Sequence, residues 1–256
     1  MAQPMSAHFL VSELLPISHG FTTREGGVSE GPYASLNLGR SVGDVPERVE
    51  ENTRRVAQAA GVAPSDLQSP LQVHGDQVLE APNPDPQLGA SVCGRADALW
   101  TSRTGAAVAV RIADCVPLLL VDRQGRRVAA VHSGWRGTEL RIAARAVDAL
   151  AEAGAERSAL LAAIGPSIRV CCYQVSRELA ERFARLFGDG VVAHRHGEAH
   201  LDLATAVRET LQAAGVRRDH IDVLPNCTSC ETALFFSHRR DRGVTGRQMA
   251  FAVCSF

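Results

Sequence analysis

Segments with strand-like and helix-like patterning interleave along this chain, and one pair of strands is joined by a tight turn. Residues 118–121 and 128–131 are apolar, the second run ends in His132, and the turn between the runs includes Asp122 and Gly125, which predicts an antiparallel hairpin. A hairpin does not occur in a purely parallel, doubly wound sheet. The pattern therefore predicts an α/β (α+β) fold in which mixed β-sheets are covered by helices.

Four helices and several further strands can be placed from periodicity and from residues that begin or end helices. The helices are predicted over residues 46–60 with Asp44 as a cap, from after Gly137 to Ala153, from after Ser176, and from after Asp202 to Gly215. The further strands are predicted over residues 106–112, 160–164, 221–224 and 249–253. The proline-rich residues 81–89 are predicted to form a surface loop within a single domain that spans residues 1–256.

The composition limits the classes of protein and of partner. Apolar residues make up 45% of the 256 residues and charged residues 21%, which favours a globular protein with a substantial core. The formal net charge of -1 predicts no basic surface for nucleic acid or for an anionic membrane. The N-terminus lacks the basic start and apolar run of a secretory signal, and no stretch resembles a membrane helix, so we expect a cytoplasmic protein.

Three segments each place a metal-binding side chain where an apolar strand ends in a turn. These side chains are His74, Cys115 and His132, and Gly75 and Gly134 permit turns beside the two histidines. Two imidazoles and one thiolate suit zinc, and three protein ligands leave a fourth tetrahedral position for water or substrate, as in catalytic sites. Each residue alone is more often a packing residue, so the hypothesis depends on the three together.

The other cysteines carry a weaker signal. The chain has seven cysteines, an odd number, and it has no recognisable secretory signal, which argues against a disulfide framework. Cys227 and Cys230 form a Cys-x-x-Cys pair that, with Cys171 and Cys172, is a candidate second, structural zinc site. Adjacent cysteines are poor ligands for one ion, so the sequence favours packing roles for these four thiols.

The order of short motifs along the chain resembles one known protein family. Its N-terminal signature is matched by residues 20–29, 33–39, 42–44 and Asn52, and its three site motifs are matched by residues 72–75, 113–117 and 132–137. Its remaining motifs are matched by residues 164–166, 173–175, 201–203, 226–228, 235–241 and 245–247. On these motifs the chain resembles the laccase-domain family, also called YfiH-like or multicopper polyphenol oxidase-like. It departs from the family pattern at Ser133 and His238.

The resemblance implies a fold of α/β/β/α layers and one zinc ion held by His74, Cys115 and His132. It implies purine nucleoside phosphorylase activity, in which adenosine, inosine, guanosine or methylthioadenosine reacts with phosphate to give a base and a sugar 1-phosphate. Adenosine deaminase activity is implied as a side activity. Purine nucleosides and phosphate are then the partners, and we expect a monomer with no nucleic-acid or membrane partner.

Four residues are candidates for substrate binding. Arg24, in a Gly-rich turn, and Arg136, two residues after the Ser133-Gly134 turn, are candidate phosphate contacts. Asn37 and Trp135 are candidate contacts to the rest of the substrate. The ordinary alternatives are a surface role for Arg24 and a packing role for Trp135.

Cys115 and Asp114 are the candidate catalytic residues. Asp114 is a candidate base or an orienting partner of the metal ligands, or alternatively it only caps a turn. A rival hypothesis is a cysteine-type hydrolase that edits a peptidoglycan precursor, with Cys115 as nucleophile and His132 as its base. A second rival is a non-catalytic protein that binds a ligand in the same pocket.

Copper is the remaining alternative to zinc. A four-copper laccase needs about ten histidines, several of them in His-x-His pairs. The chain has nine histidines, and only His194 and His196 form such a pair, so a four-copper enzyme is not encoded. A single-copper polyphenol oxidase that uses the predicted three-ligand site stays open, because copper competes well for such ligands.

Overall fold

The computed structural model describes residues 9–83 and 92–255, so residues 84–89 of the predicted loop lie outside the described residues. The helices are α1 (Pro46–Ala60), α2 (Trp135–Glu139), α3 (Ile142–Glu152), α4 (Arg177–Phe187) and α5 (Leu203–Ala213). The strands are β1 (Phe9–Leu10), β2 (His19–Thr22), β3 (Leu67–Leu71), β4 (Val78–Glu80), β5 (Val92–Arg95), β6 (Ala98–Thr101), β7 (Ala107–Ile112), β8 (Val116–Asp122), β9 (Val128–Ser133), β10 (Leu160–Ile164), β11 (Gln174–Val175), β12 (Val192–Arg195), β13 (Glu198–Leu201), β14 (Ile221–Val223) and β15 (Gln248–Val253). None of the helices in the described ranges is both long and apolar enough to cross a bilayer.

Two six-stranded mixed sheets form the centre of the molecule. The first has the order β1-β2-β15-β7-β3-β5 and the second the order β14-β10-β8-β9-β6-β4. In the first sheet β7 pairs antiparallel with β15 but parallel with β3. In the second sheet β8 and β9 form the predicted hairpin, whose turn is closed by a hydrogen bond from Gly125 N to Asp122 O of 2.8 Å. The prediction of mixed sheets is confirmed.

Three apolar clusters show how the layers stack. One cluster lies between the two sheets and contains Val108 and Val110 of β7 against Leu119 and Val121 of β8. The alternate residues of each strand face outward, because successive side chains of a strand point to opposite faces. The outer face of the first sheet packs on α1, and the outer face of the second packs on α3 and α5. The resulting order is α/β/β/α, as the resemblance implied.

The inner cluster has a consequence for domain organisation. Because both sheets contribute side chains to it, neither sheet buries its inner face alone. This shared core argues for a single domain, which stays a prediction for residues 1–256 as a whole. A smaller three-stranded sheet, in the order β11-β13-β12, lies beside α4.

The predicted helix boundaries need two corrections, one at the start of α1 and one within the helix predicted after Gly137. Ser176 and Asp202 cap α4 and α5 through side-chain hydrogen bonds to backbone N–H groups, as predicted. Asp44 does not cap α1, whose N-cap is Val45, because its carboxylate instead accepts hydrogen bonds from Ser29 and Asn37.

The helix predicted from Gly137 to Ala153 is in fact two helices. The first, α2, already begins at Trp135, directly after Gly134, which joins it to the strand β9 that carries the predicted ligand His132. Arg141, with a φ of 60°, interrupts the helical path before α3 begins. Apolar periodicity could not reveal this break, because α2 and α3 both pack their apolar residues on the same side of the second sheet.

Candidate metal centre

The fold brings His74, Cys115 and His132 together from separate parts of the chain. His74 follows β3, Cys115 lies in the turn between β7 and β8, and His132 is in β9. Antiparallel pairing of β8 with β9 places Pro117 opposite His132, which brings Cys115 near the imidazole. The ligand atoms of the three residues all lie within 4.8 Å of one another. The three residues that the sequence singled out as ligands therefore form one cluster.

A glycine keeps the space beside this cluster free. A Cβ atom on Gly134 would lie 3.1 Å from Cys115 Sγ and 3.4 Å from His74 Cδ2. The two imidazole rings meet edge to face, with centroids 4.8 Å apart and an interplanar angle of 85°. His132 is buried, Cys115 is half-buried and His74 is exposed, so the cluster opens to solvent on the side of His74.

Asp97 anchors two of the ligands, although no predicted site motif contains it. Its Oδ1 accepts hydrogen bonds from His132 Nδ1 at 2.8 Å and from His74 N at 2.9 Å. Its Oδ2 accepts from Gly75 N at 2.7 Å and from Val73 N at 3.1 Å. An ionised carboxylate only accepts hydrogen bonds, so Nδ1 of His132 carries a proton, and Nε2 is the nitrogen that can bind a metal once its own proton is released.

The electrostatics of the cluster favour the ionised thiol. Burial acts to raise the pKa of Cys115, but the neighbouring His132 and His74 outweigh burial and lower that pKa to about 6. Burial acts to lower the pKa of His132, but Cys115 and Asp97 outweigh it and raise that pKa to about 9. Burial also opposes ionisation of Asp97, yet its hydrogen bonds, first that from His132, lower its pKa. In the metal-free protein Cys115 is therefore largely a thiolate near neutral pH, which is the form that binds a metal.

One ligand of the cluster and the residue before another lie on strained backbone. His74 has a φ of 60° and Asp114, which precedes Cys115, has a φ of 88°. Left-handed backbone is costly for residues other than glycine and persists only when surrounding contacts hold it. The Asp114 carboxylate supplies such contacts, because Oδ1 accepts from Thr228 Oγ1 at 2.7 Å and Oδ2 from Arg239 N at 2.7 Å. Of the roles predicted for Asp114, this arrangement favours orientation of the neighbouring ligand.

Arg24 lies in a loop that packs against the 228–241 segment. Its Nε donates to Ala34 O at 2.8 Å and its Nη1 to Thr232 O at 3.2 Å, and the guanidinium stacks on the ring of Phe236 at 4.6 Å. Partial burial, and after it the charge of Arg240, lowers the pKa of Arg24. Arg24 is therefore fixed by the surrounding backbone, and phosphate contact by this residue stays a prediction.

Asn37 is completely buried, and its amide is engaged by the protein itself. Its Nδ2 donates to Asp44 Oδ2 at 2.8 Å, and its Oδ1 accepts from Gly39 N at 2.8 Å and from Arg247 N at 2.9 Å. This packing favours a role in placing Arg247 over direct contact with substrate. Burial lowers the pKa of the Arg247 guanidinium, and this cation interacts electrostatically with Cys115.

An open groove lined by two aromatic side chains, one guanidinium and the carboxylate of Glu198 is linked to the three-ligand cluster through Trp135, which directly follows Gly134. Trp135 and Tyr173 line it together with Arg239, whose guanidinium lies 5.1 Å from the centroid of the Tyr173 ring. Trp135 directly follows Gly134, and the exposed Arg136 stacks on its indole at 4.7 Å. The groove therefore contains one of the predicted substrate residues, Trp135, and Arg136 lies beside it.

Three residues of this region were not singled out from the sequence as site residues: Asp97, Tyr173 and Arg239. Asp97 carries one signal, since it is a carboxylate between two alanines at the start of an apolar strand. Tyr173 and Arg239 fall within matched family motifs, but nothing in those motifs indicates a groove. Their proximity depends on contacts between β11 and the loop before β15, which are distant in sequence.

The donor set of the cluster fits a divalent metal with an open coordination position. Two imidazoles and a thiolate are typical zinc ligands, and Asp97 holds His132 as carboxylates hold ligating histidines in zinc sites. His194 and His196, the only His-x-His pair, lie on the exposed β12–β13 hairpin and belong to neither group of metal-capable side chains found among the described residues. The described part of the chain thus offers a single three-ligand centre and no multicopper arrangement.

The chain is similar in sequence to one protein family and to several bacterial enzymes, and similar in structure to a crystallised member of the YfiH group. Residues 18–255 match the model of a family described as multi-copper polyphenol oxidoreductase laccase. The chain is 43% identical over 237 residues to a purine nucleoside phosphorylase of Deinococcus radiodurans, which covers 92% of this chain and 88% of that protein. It is 38% identical over 231 residues to adenosine deaminase RL5 of an unknown prokaryotic organism, covering 86% and 87%. The crystal structure of the Bacillus licheniformis hypothetical protein YfiH superposes with a TM-score of 0.90 at 35% identity, covering 97% of each chain.

Proposed function

This chain belongs to the family described as multi-copper polyphenol oxidoreductase laccase, and on that premise we propose that it is a zinc-dependent purine nucleoside phosphorylase with adenosine deaminase activity. Adenosine, inosine, guanosine and methylthioadenosine are the expected substrates together with phosphate. The observation that carries the proposal is the juxtaposition of a three-ligand centre, open on one side, with the groove of Trp135, Tyr173 and Arg239.

Contacts of Arg239 and Tyr173 link the groove to the three-ligand centre. The backbone N–H of Arg239 holds the Asp114 carboxylate, and Asp114 precedes Cys115. Burial raises the pKa of Tyr173 to about 12, and the negative charge of Cys115 adds to this effect, so the phenol stays neutral. We propose that a substrate held in the groove extends to the centre, because Arg239 and Tyr173 link the two.

The side chains of the groove match the two parts of the reactants. Purine bases present flat π-faces, which aromatic rings such as Trp135 and Tyr173 recognise by stacking. Phosphate is recognised by guanidinium groups, of which Arg239 and Arg136 stand at the groove. Arg24, beside the loop that carries Arg239, is proposed as a further phosphate contact.

Phosphorolysis exchanges one bond for another at the anomeric carbon. A phosphate oxygen forms a bond to C1′ while the bond from C1′ to the purine N9 breaks. The electron pair of the broken bond goes to the base, which takes up a proton and leaves as free purine, and the sugar leaves as its 1-phosphate. The protein's contribution is to hold phosphate and nucleoside in line and to neutralise phosphate charge through its arginines.

Zinc is the metal we propose for His74, Cys115 and His132. When bound, zinc would supply Lewis acidity at the sugar or phosphate oxygens and a water of lowered pKa for deamination. Asp97 would keep His132 in the ligating tautomer, and Asp114 would position Cys115 through its bonds to Thr228 and Arg239. Copper in the same three-ligand site is the alternative, and metal analysis of the purified protein distinguishes the two.

The test is a product assay with and without phosphate. Purified protein is incubated with adenosine or inosine, and free base, sugar 1-phosphate and inosine are separated by chromatography. We expect release of base and ribose 1-phosphate in equal amounts and only when phosphate is present, and conversion of adenosine to inosine without phosphate. The Cys115→Ala variant should lose both. Base release that does not depend on phosphate, or none from any purine nucleoside, would reject the phosphorylase.

A second candidate function has one specific observation in its favour. Cys115, His132 and Asp97 form a chain of thiolate, imidazolium and carboxylate, which is also the arrangement of a cysteine hydrolase. A nucleophilic cysteine has no need of His74, whereas a metal centre does. His74→Ala therefore separates the two functions, because it should abolish a metal-dependent activity and spare a cysteine hydrolase that edits a cell-wall precursor.

We further propose a cytoplasmic monomer whose partners are small molecules rather than nucleic acid or a membrane. The near-neutral net charge supports small-molecule partners over nucleic acid or a membrane, and the absence of disulfides among the described cysteines is typical of a cytoplasmic protein. Sedimentation or light scattering of the reduced protein measures the oligomeric state directly.

A further inference from the structure

Four cysteines that the proposed phosphorylase does not use converge at one point of the structure. Cys171 Sγ lies 3.5 Å from Cys227 Sγ and 3.6 Å from Cys230 Sγ, and Cys172 Sγ lies 3.3 Å from Cys230 Sγ. All four sulfur atoms lie within 4.8 Å of one another. Two of the cysteines come from the loop between β10 and β11, and two from the loop between β14 and β15.

The spacing of the sulfur atoms suits a tetrahedral metal site. A zinc–sulfur bond of about 2.3 Å in a tetrahedron requires sulfur atoms about 3.8 Å apart. The observed separations of 3.3–3.6 Å are close to that value and far from the roughly 2.05 Å of a disulfide bond. Four sulfur atoms packed this closely without an ion would leave several thiols competing for few acceptors.

The backbone around the cluster explains how two adjacent cysteines can both take part. Cys172 and Tyr173 each donate a backbone hydrogen bond to Arg169 O, at 2.9 and 3.0 Å, which closes a tight turn at Cys171 and Cys172. This turn directs both thiols toward Cys230. Adjacent cysteines are ordinarily poor ligands for one ion, but this turn brings both sulfur atoms into the cluster.

The surroundings of Cys227 are those of a bound thiolate. Its sulfur accepts backbone N–H groups from Arg169, Ser229 and Cys230, and the one from Arg169 measures 3.5 Å. The half-buried guanidinium of Arg169 interacts electrostatically with both Cys227 and Cys171. Backbone N–H donors aimed at the sulfur, together with a cation nearby, stabilise a negative charge on Cys227.

We propose that Cys171, Cys172, Cys227 and Cys230 form a second metal site, a closed four-thiolate site that binds zinc and has a structural role. Four protein ligands leave no position for substrate, which is the pattern of structural zinc sites. Binding releases one proton from each cysteine that was a thiol, and no oxidation is involved. Arg169 offsets part of the charge of the four thiolates.

The role follows from what the two loops carry. Tyr173, in the wall of the groove, directly follows Cys172. Thr228 directly follows Cys227 and donates to Asp114 Oδ1, and a bridge pairs Ser167 with Cys227. A metal ion that joins the loops would hold the groove wall and the Asp114 turn in place without touching the substrate. The second site would thus stabilise the loops that position Asp114 and Tyr173.

Counting metal ions per chain tests the proposal independently of catalysis. The full chain is purified under reducing, anaerobic conditions, incubated with zinc and desalted. The zinc content per chain is then measured by inductively coupled plasma mass spectrometry. We expect two zinc ions in the wild type, one in Cys230→Ser and one in Cys115→Ala, since each variant loses a different site. Cys93→Ser, which changes a buried cysteine outside both groups, should keep two.

Cobalt provides a second readout that identifies the ligands. In the Cys115→Ala variant, cobalt bound at the four-cysteine site should give the intense sulfur-to-metal charge-transfer absorption of a tetrahedral thiolate complex. This absorption should be lost when Cys230→Ser is added. If Cys230→Ser fails to fold by circular dichroism, the cobalt spectrum of Cys115→Ala alone decides.

The outcomes that overturn the proposal are distinct from failure of the phosphorylase. A wild type that binds one zinc ion, lost entirely in Cys115→Ala, rejects the second site whatever the activity. Disulfides between the two loops in anaerobically purified protein, or a weak cobalt spectrum without sulfur charge transfer, reject it as well. A protein with two zinc ions but no phosphorolysis would leave this inference intact and reject only the proposed function.

Discussion

Replacing Asp97 by asparagine should weaken metal binding at the three-ligand centre although Asp97 touches no metal. Oδ1 of Asp97 serves His132 and His74, and Oδ2 serves Gly75 and Val73. Asparagine keeps one oxygen and replaces the other by an NH2 group, which cannot accept. In either orientation of the amide, two of the four donors therefore lose their acceptor.

Both orientations damage the centre, by different routes. If the NH2 group faces Gly75 and Val73, the strained turn at His74 loses two of its anchors. If it faces His132, the imidazole must accept at Nδ1, and its proton moves to the Nε2 that should bind the metal. Hydrogen bonds to a charged group contribute about 1.5–3 kcal/mol each. Two lost bonds predict a decrease of roughly 3 kcal/mol or more in the free energy of unfolding.

The assay is zinc competition with a chromophoric chelator, together with denaturant unfolding of the metal-free protein. Loss of a carboxylate behind a ligating histidine typically lowers metal affinity by about 10- to 100-fold. The matched control is Asp122→Asn, since Asp122 is also buried and accepts from Arg126 N at 2.7 Å and Arg127 Nη1 at 3.0 Å, but in the β8–β9 turn. The control should lose stability and keep its zinc affinity. An Asp97→Asn protein with wild-type zinc affinity would refute the reasoning.

The remaining predictions concern the centre and its groove. The Gly134→Ala variant should fold, because Gly134 has an ordinary φ of -75°. The added Cβ would lie 3.1 Å from Cys115 Sγ and should lower zinc affinity at least about tenfold. Unchanged affinity would mean that the metal lies elsewhere. Chelation should make Cys115 reactive, and its alkylation rate should rise with pH with a midpoint at about 6, the pKa of its thiol in the metal-free protein, and reach a plateau by neutral pH. A rate that keeps rising through pH 8 contradicts the thiolate. Arg239→Ala should raise the KM for phosphate roughly 10- to 100-fold, and Arg208→Ala on α5, outside the groove, should not. Equal effects would show that only overall charge matters.

The sequence predicts the three metal ligands of the site but not the residues that support them. His74, Cys115 and His132 stand out because histidines and a cysteine beside turn residues are unusual, and their types limit the choice of metal. Asp97 did not stand out, because a single carboxylate in a strand has many uses. The four-cysteine cluster was disfavoured, because spacing along the chain says little about the direction of side chains in a turn.

The sequence by itself determined the class of the fold, since apolar periodicity and turn residues act over a few neighbouring positions. The strands from 106 to 133, their hairpin and the caps of α4 and α5 follow from such local preferences. Which strands pair, and therefore which side chains meet, depends on burying both sheets in one core, and this is a property of the whole chain. Tertiary structure alone brought Asp97 to His132, Arg239 to Tyr173, and two distant cysteine pairs to within 4.8 Å.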